Sequence, residues 1–239
     1  MRHSLITKSL VFVFLNPLII NSVLSKNIDN HLLINQLEVF LNQRKDDLLK
    51  ELFLQKSFNQ FNKQYLAFRH KYKDAKWSIQ PVSNDQNKSM LDIKIRSTRE
   101  INDQIYNLYT KQTVKLETYK DKIKGYEVID EESILHSKNS PLSIKIVSPK
   151  KVLTGEKYEI NLIIENPLDN SLTASGMIVL KNEDDKKISN DIFGIKPNQS
   201  GGLFKYIQAP FKPGSQTISA IITHPKGIYL ITKKIKVGL

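Results

Sequence analysis

The chain of 239 residues contains no cysteine. That excludes disulfides, zinc–thiolate sites, iron–sulfur clusters and thiol nucleophiles together. Arginine is scarce as well: of 36 basic residues, five are Arg and 31 are Lys. A dedicated nucleic-acid reader favours Arg, whose planar fork matches phosphates and guanine edges. No specific nucleic-acid partner is therefore expected. Nine Gly, nine Pro and one Trp leave no room for a collagenous or low-complexity chain. No P-loop, dinucleotide glycine fingerprint or Gly-x-Ser-x-Gly elbow occurs.

What remains is an ordinary globular composition, 40% hydrophobic and 25% charged, long enough for one or two domains. The net charge of +12 comes from scattered lysines, with pairs at Lys150-Lys151, Lys186-Lys187 and Lys233-Lys234 but no long block. Lys, Asn and Ile all have AT-rich codons, so base composition accounts for part of the excess. The plain reading is a solvated lysine-rich surface. The functional one is attraction to anionic lipid, polysaccharide or nucleic acid.

Residues 1–25 carry a secretory pattern. Arg2 and Lys8 form a positive start, and no acidic residue precedes Asp29. Leu10 to Leu24 is apolar apart from Asn16, Pro17, Asn21 and Ser22, and Val23-Leu24-Ser25 suits cleavage between Ser25 and Lys26. The apolar run is shorter than the ~20 residues that span a bilayer. Export to a periplasmic or extracellular space is expected, with an uncleaved membrane anchor as the alternative. No later stretch is apolar enough to span a membrane.

The hydrophobic period then changes twice. From Asn27 to Lys73 it is helical. Leu33, Leu37, Phe40 and Leu41 share a face. Phe58, Phe61, Tyr65, Phe68 and Tyr72 recur at 3-4 spacing, with Ser57 placed as N-cap. The stripe predicts core packing against a sheet, with a partner-binding seam as the alternative. From Lys76 the period becomes two. Trp77 and Ile79 form one run, and Leu91, Ile93 and Ile95 another, with a turn at residues 84–87. A long run from Ile101 to Tyr119 follows, and then a return through Tyr126 and Val128. Helices followed by an antiparallel meander predict an α+β domain over residues 26–136, with the helices covering one face of a sheet. Residues 137–141 have a linker composition. Seven short strand patterns fill 142–239: Leu142–Ser148, Lys157–Asn166, Thr173–Lys181, Lys187–Ile195, Gly202–Gln208, Gln216–Thr223 and Ile228–Val237. They predict an all-β sandwich.

Two resemblances follow. A helix ending in Tyr65-Leu66-Ala67-Phe68-Arg69, then Trp77-Ser78-Ile79, then progressively longer strands resembles the nuclear transport factor 2-like superfamily. That resemblance implies a cone of helices closed by a strongly curved antiparallel sheet. The superfamily's short hairpin between its early helices has no counterpart here. Leu153-Thr154-Gly155-Glu156-Lys157-Tyr158-Glu159-Ile160, running on to Glu165-Asn166-Pro167, resembles bacterial immunoglobulin-like domains of the cell-adhesion-related type. It implies an immunoglobulin-like sandwich and no particular ligand.

Candidate chemistry is sparse. His3, His31, His70, His136 and His224 fall at no metal-ligand spacing. Asp130-Glu131-Glu132 and Glu183-Asp184-Asp185 are adjacent residues that point apart, so neither is an acid–base pair. Gly201-Gly202 reads as a bulge or turn. Asn87-Lys88-Ser89 and Asn198-Gln199-Ser200 are glycosylation sequons expected by chance. No catalytic residue, metal site or cofactor is expected.

Three functions compete. The first is an exported, non-catalytic binding or structural protein with a protein or envelope partner, a homodimer being a further candidate. The second is a small-molecule-binding protein, or an isomerase- or hydrolase-like enzyme, in which Trp77 and Tyr106 line the cone pocket that the first resemblance implies. The third is an envelope-surface binder holding anionic lipid or glycan through lysines.

Overall fold

A computed structural model describes residues 30–82, 89–166, 171–180, 194–198 and 201–238. Several expectations lie outside these residues: the signal segment 1–25 with its Ser25–Lys26 junction, the turn 84–87, the acidic run 183–185, and most of the strand 187–195. Among the described residues 58% are in strands and 20% in helices. The expected α+β class, a helical cone closed by a curved sheet, is therefore corrected. The fold is mostly β, with large antiparallel sheets and three short helices among the described residues. The reason lies in strand length: the meander strands run to 13, 16 and 16 residues, outweighing helices of 14, 6 and 17.

The chain divides into two compact units, residues 30–99 with 108–131, and residues 100–107 with 132–238. In the first unit, helices α1 (Asn30–Gln43), α2 (Asp46–Glu51) and α3 (Gln55–Lys71) precede the strands β1 (Lys76–Val82), β2 (Ser89–Ile101), β3 (Gln104–Tyr119) and β4 (Lys122–Ser137). Leu33, Ile34, Leu37 and Leu41 form the buried stripe of α1. That helix stops where Arg44 adopts a left-handed φ of 57°, and the Lys45 N–H returns to the Phe40 carbonyl at 3.0 Å. Helix α3 begins after Leu54, which extends alongside β4: the Leu54 N–H donates to the Ile123 carbonyl, and the Ile123 N–H to that of Leu52. Ser57 is therefore inside the first turn rather than the N-cap, and its hydroxyl donates to the Lys124 carbonyl. Strand β1 pairs antiparallel with β2, Trp77 opposite Ile95 and Ile79 opposite Ile93. Asn102-Asp103 and Lys120-Asp121, all at positive φ, make the two-residue turns that join β2, β3 and β4.

The second unit is built of strands. After the end of β4 come β5 (Ile144–Val147), β6 (Lys151–Leu153), β7 (Lys157–Ile164), β8 (Ala174–Leu180), β9 (Lys196–Pro197), β10 (Gly202–Gln208), β11 (Gly214–His224) and β12 (Gly227–Gly238). One sheet has the order β4-β12-β11-β8-β9, with β6 parallel on β12; the other is β10-β7-β5. Their facing side chains alternate along each strand and share one core, including Ile160 and Leu162 from the smaller sheet and Ile222 and Ile235 from the larger. Residues 137–141 lie inside this unit. The Ile228 N–H donates to the Ser137 hydroxyl at 3.0 Å, and the Tyr229 hydroxyl bonds the Leu142 carbonyl.

Candidate functional site

The aromatic stripe of α3 meets β1 in a ladder of rings. Phe61 stacks on Phe53 at 4.7 Å and on Tyr65 at 5.5 Å between centroids; Phe68 stands edge-on to Trp77 at 5.7 Å. Four of the five stripe residues, Phe61, Tyr65, Phe68 and Tyr72, are buried. Arg69 lies across the ladder, its guanidinium 4.3 Å from the Trp77 centroid, and donates to the carbonyls of Leu41 and Ala75. Burial raises the Tyr65 phenol above its ordinary range, although the neighbouring Arg69 pulls the other way.

Beneath the ladder lies a cavity of about 40 Å³. Its wall is apolar, formed among others by Leu37, Phe61, Trp77 and Val114, with Gln112 and Tyr126 bringing the polar atoms. The Tyr126 hydroxyl donates to Gln64 Oε1 at 2.8 Å, and burial raises its phenol. Buried Gln112 donates through Nε2 to buried Glu131 at 2.9 Å. Ligand pockets are about 300–1,000 Å³, so this is a packing gap large enough for a methyl group or a water. Of the two pocket residues read from the sequence, Trp77 is in the wall. Tyr106 is not: it belongs to the second unit, buried, with its hydroxyl donating to Gln104 Oε1 at 2.9 Å.

No group of three metal-ligating side chains occurs among the described residues. His31 and His70 are exposed. His136 stacks on Tyr229 at 5.2 Å, and His224 Nδ1 accepts from the Lys226 N–H at 3.1 Å. Glu131 is the inward member of its acidic run and does not wall the cavity.

The chemically unusual surface is in the second unit. Strand β10 buries Ile207 and packs Leu203 on the core, which turns Phe204 and Tyr206 outward, 51% and 76% exposed. Phe211, in the turn after β10, is 79% exposed and lies over Gly155. Gly155 has φ of +71°, and a Cβ there would come within 2.9 Å of the Phe211 ring, so both the turn and the ring above it require glycine. Gly202 is needed for a different reason, because a Cβ would fall 2.2 Å from the Leu162 carbonyl oxygen of β7. The sequence signalled Gly201-Gly202 as a turn. The exposed aromatics carried no signal, since Phe204 and Tyr206 alternate as core residues would.

Residues 139–238, the greater part of this unit, match the family described as Domain of unknown function (DUF8623). No curated protein matches the chain. No helix among the described residues is long and apolar enough to cross a membrane.

Proposed function

We propose that the chain is an exported, non-catalytic binding protein that docks a protein or envelope component on its surface. The observation that carries this reading is a contrast. The apolar gap walled by Trp77 measures about 40 Å³, whereas Phe204 and Tyr206 of β10, and Phe211 in the turn after it, stand in solvent. Monomeric surfaces rarely leave large aromatics grouped in this way without a partner. The secretory pattern of residues 1–25 supports periplasmic or extracellular placement.

A photo-crosslinking amino acid placed at Tyr206 of β10, or at Lys226 in the turn between β11 and β12, tests the reading in the native cell. A discrete adduct from position 206, absent from 226, is expected, on a chain whose mature N-terminus is Lys26. Position 206 giving no adduct, or both positions the same smear, overturns surface docking. A chain recovered with Met1 intact overturns cleavage of the signal.

A further inference from the structure

We infer that the outer edge of β10 receives an extended acidic segment of a partner protein as an added strand. This deepens the surface-docking reading and rests on it.

The hydrogen-bond parity of β10 settles which way its backbone points. At one end the Ile164 N–H donates to the Gly201 carbonyl at 2.7 Å; at the other the Ala209 N–H donates to Glu156 at 2.8 Å. The antiparallel register between them runs without a break from Gly202 opposite Ile163 to Gln208 opposite Lys157. Odd-numbered residues therefore bond to β7, and the N–H and C=O of Gly202, Phe204, Tyr206 and Gln208 point away from it. In keeping with this, the Gln208 carbonyl accepts from Gln216 Nε2 of the facing sheet at 3.2 Å rather than from β7. β10 is the end of its sheet, and no described strand pairs with this edge. Gly202 is buried, and the open groups of exposed Phe204 and Tyr206 are spaced to continue a ladder. The two aromatics stand on the outward face, where they would flank side chains of an added strand.

Charge selects the occupant. Lys145, Lys157 and Lys212 are exposed on or beside the three-stranded sheet, while Lys205 shares the inward face of β10 with Leu203 and Ile207 and donates to the Met177 carbonyl at 2.9 Å. Glu159, opposite Tyr206, is the acidic residue on its outward face. The nearby Glu156 and Glu165 are turned into their loops, accepting from the Leu153 N–H at 2.6 Å and the Ser143 hydroxyl at 2.9 Å. A second copy is a poor fit. It would bring the same lysines, Lys157 and Lys212, to the shared edge, and like charges brought together destabilise such a pairing. An acidic extended segment has the opposite sign and the same backbone geometry.

Blocked eight-residue peptides alternating Glu with Val, and Lys with Val, serve as probes, with amide exchange of the full chain as the readout. The Glu peptide is expected to slow exchange at Phe204 and Tyr206 at least tenfold, leaving Leu203 and Ile207 unchanged. The Lys peptide, and a Glu peptide N-methylated at alternate residues, should not. Tyr206→Pro removes an edge donor without touching the β7 ladder, and should weaken the Glu peptide at least tenfold; Tyr206→Ser is the milder variant should proline perturb folding. Equal effects of Glu and Lys peptides overturn the proposal. So does slow exchange at Phe204 and Tyr206 in the free monomer, which means the chain covers its own edge, or a dimer whose dilution releases those amides. An adduct from position 206 with no peptide effect leaves surface docking standing and removes strand addition.

Discussion

The side-chain amide of Asn42 pairs with both backbone groups of Trp77: Nδ2 donates to the carbonyl at 2.8 Å, and Oδ1 accepts from the N–H at 2.9 Å. One helical turn earlier, Glu38 accepts from the Ile79 N–H at 2.7 Å. β1 is the edge of its sheet, and an open edge invites pairing with other chains. Four residues of α-helix advance about 6 Å, close to the roughly 6.7 Å of two strand residues. Helix α1 thus occupies the edge with side chains in place of a neighbouring strand. One sheet edge of this protein is closed in this way, whereas the outer edge of β10 has no such cover among the described residues.

Removing that cover should be measurable. Asn42→Ala leaves the Trp77 N–H and carbonyl without their partners in a half-buried place. The expected loss is about 1–3 kcal/mol, read by chemical denaturation, with faster exchange at Trp77 than at Ile79. Asn42→Asp keeps the acceptor for the N–H and loses the donor to the carbonyl, so it should fall between. Equal stability of all three proteins would show that the edge bonds contribute nothing.

Arg69 is the second tie, and lysine should not replace it. Its fork reaches the carbonyls of Leu41 and Ala75 while its plane lies on Trp77. A lysine ammonium offers a point charge and no stacking plane. Arg69→Lys should cost about 2 kcal/mol, within the range for charged hydrogen bonds and a partly buried cation–π contact. A melting temperature within error of the wild type would refute that role.

These ties also show what was legible beforehand. The 3-4 spacing of Phe61, Tyr65, Phe68 and Tyr72 reports their common burial directly, and the alternation of Trp77 and Ile79 reports β1, because burial period is a property of the chain itself. Strands at Lys157–Ile164, Ala174–Leu180 and Gly202–Gln208 were legible for the same reason. Asn42 and Glu38 were not, since a polar residue on a helix looks solvated until its strand partner is in place. The run from Ile101 to Tyr119 hid the Asn102-Asp103 turn, because positive φ at non-glycine residues leaves no mark on hydropathy. Ser57 suits an N-cap, yet the backbone of Leu54, held by Ile123, starts the helix three residues earlier. The balance of strand over helix went the same way: helical periodicity before residue 73 is conspicuous, but strand length past Ser89 is set by pairing partners.

Asp74 predicts a pH dependence. It sits after α3 and accepts from the Ser97 hydroxyl, the Thr98 N–H at 3.0 Å and the Thr98 hydroxyl at 2.6 Å. Burial pushes its carboxyl up, but these hydrogen bonds outweigh burial and hold it below the usual range. A carboxyl depressed in the folded state stabilises above its unfolded value of about 3.9, and that stability is lost as pH falls through the folded value. Wild type should therefore lose stability more steeply than Asp74→Asn below about pH 4. Parallel acid titration curves would remove Asp74 from the account.

The gap beside Phe61 decides between packing and ligand binding. Phe61 touches Phe53, Tyr65 and Tyr126 and forms part of the cavity wall. Phe61→Ala removes a buried ring next to existing empty space, so the expected loss is about 3–5 kcal/mol, a large share of the ~5–15 kcal/mol available to a domain. If the gap is merely imperfect packing, filling it should help: Val114→Ile adds one methyl group at its wall and should leave stability unchanged or raise it by up to about 1 kcal/mol. Adducts from position 206 should be identical in the Val114→Ile protein, because docking is assigned to a surface in the other unit. A ligand pocket behaves in the opposite way, since an added methyl displaces the occupant while leaving the fold intact. Denaturation curves of both variants, beside crosslinking of Val114→Ile in cells, separate the two cases. Loss of the adduct from a stable Val114→Ile protein would return the functional site to the cavity.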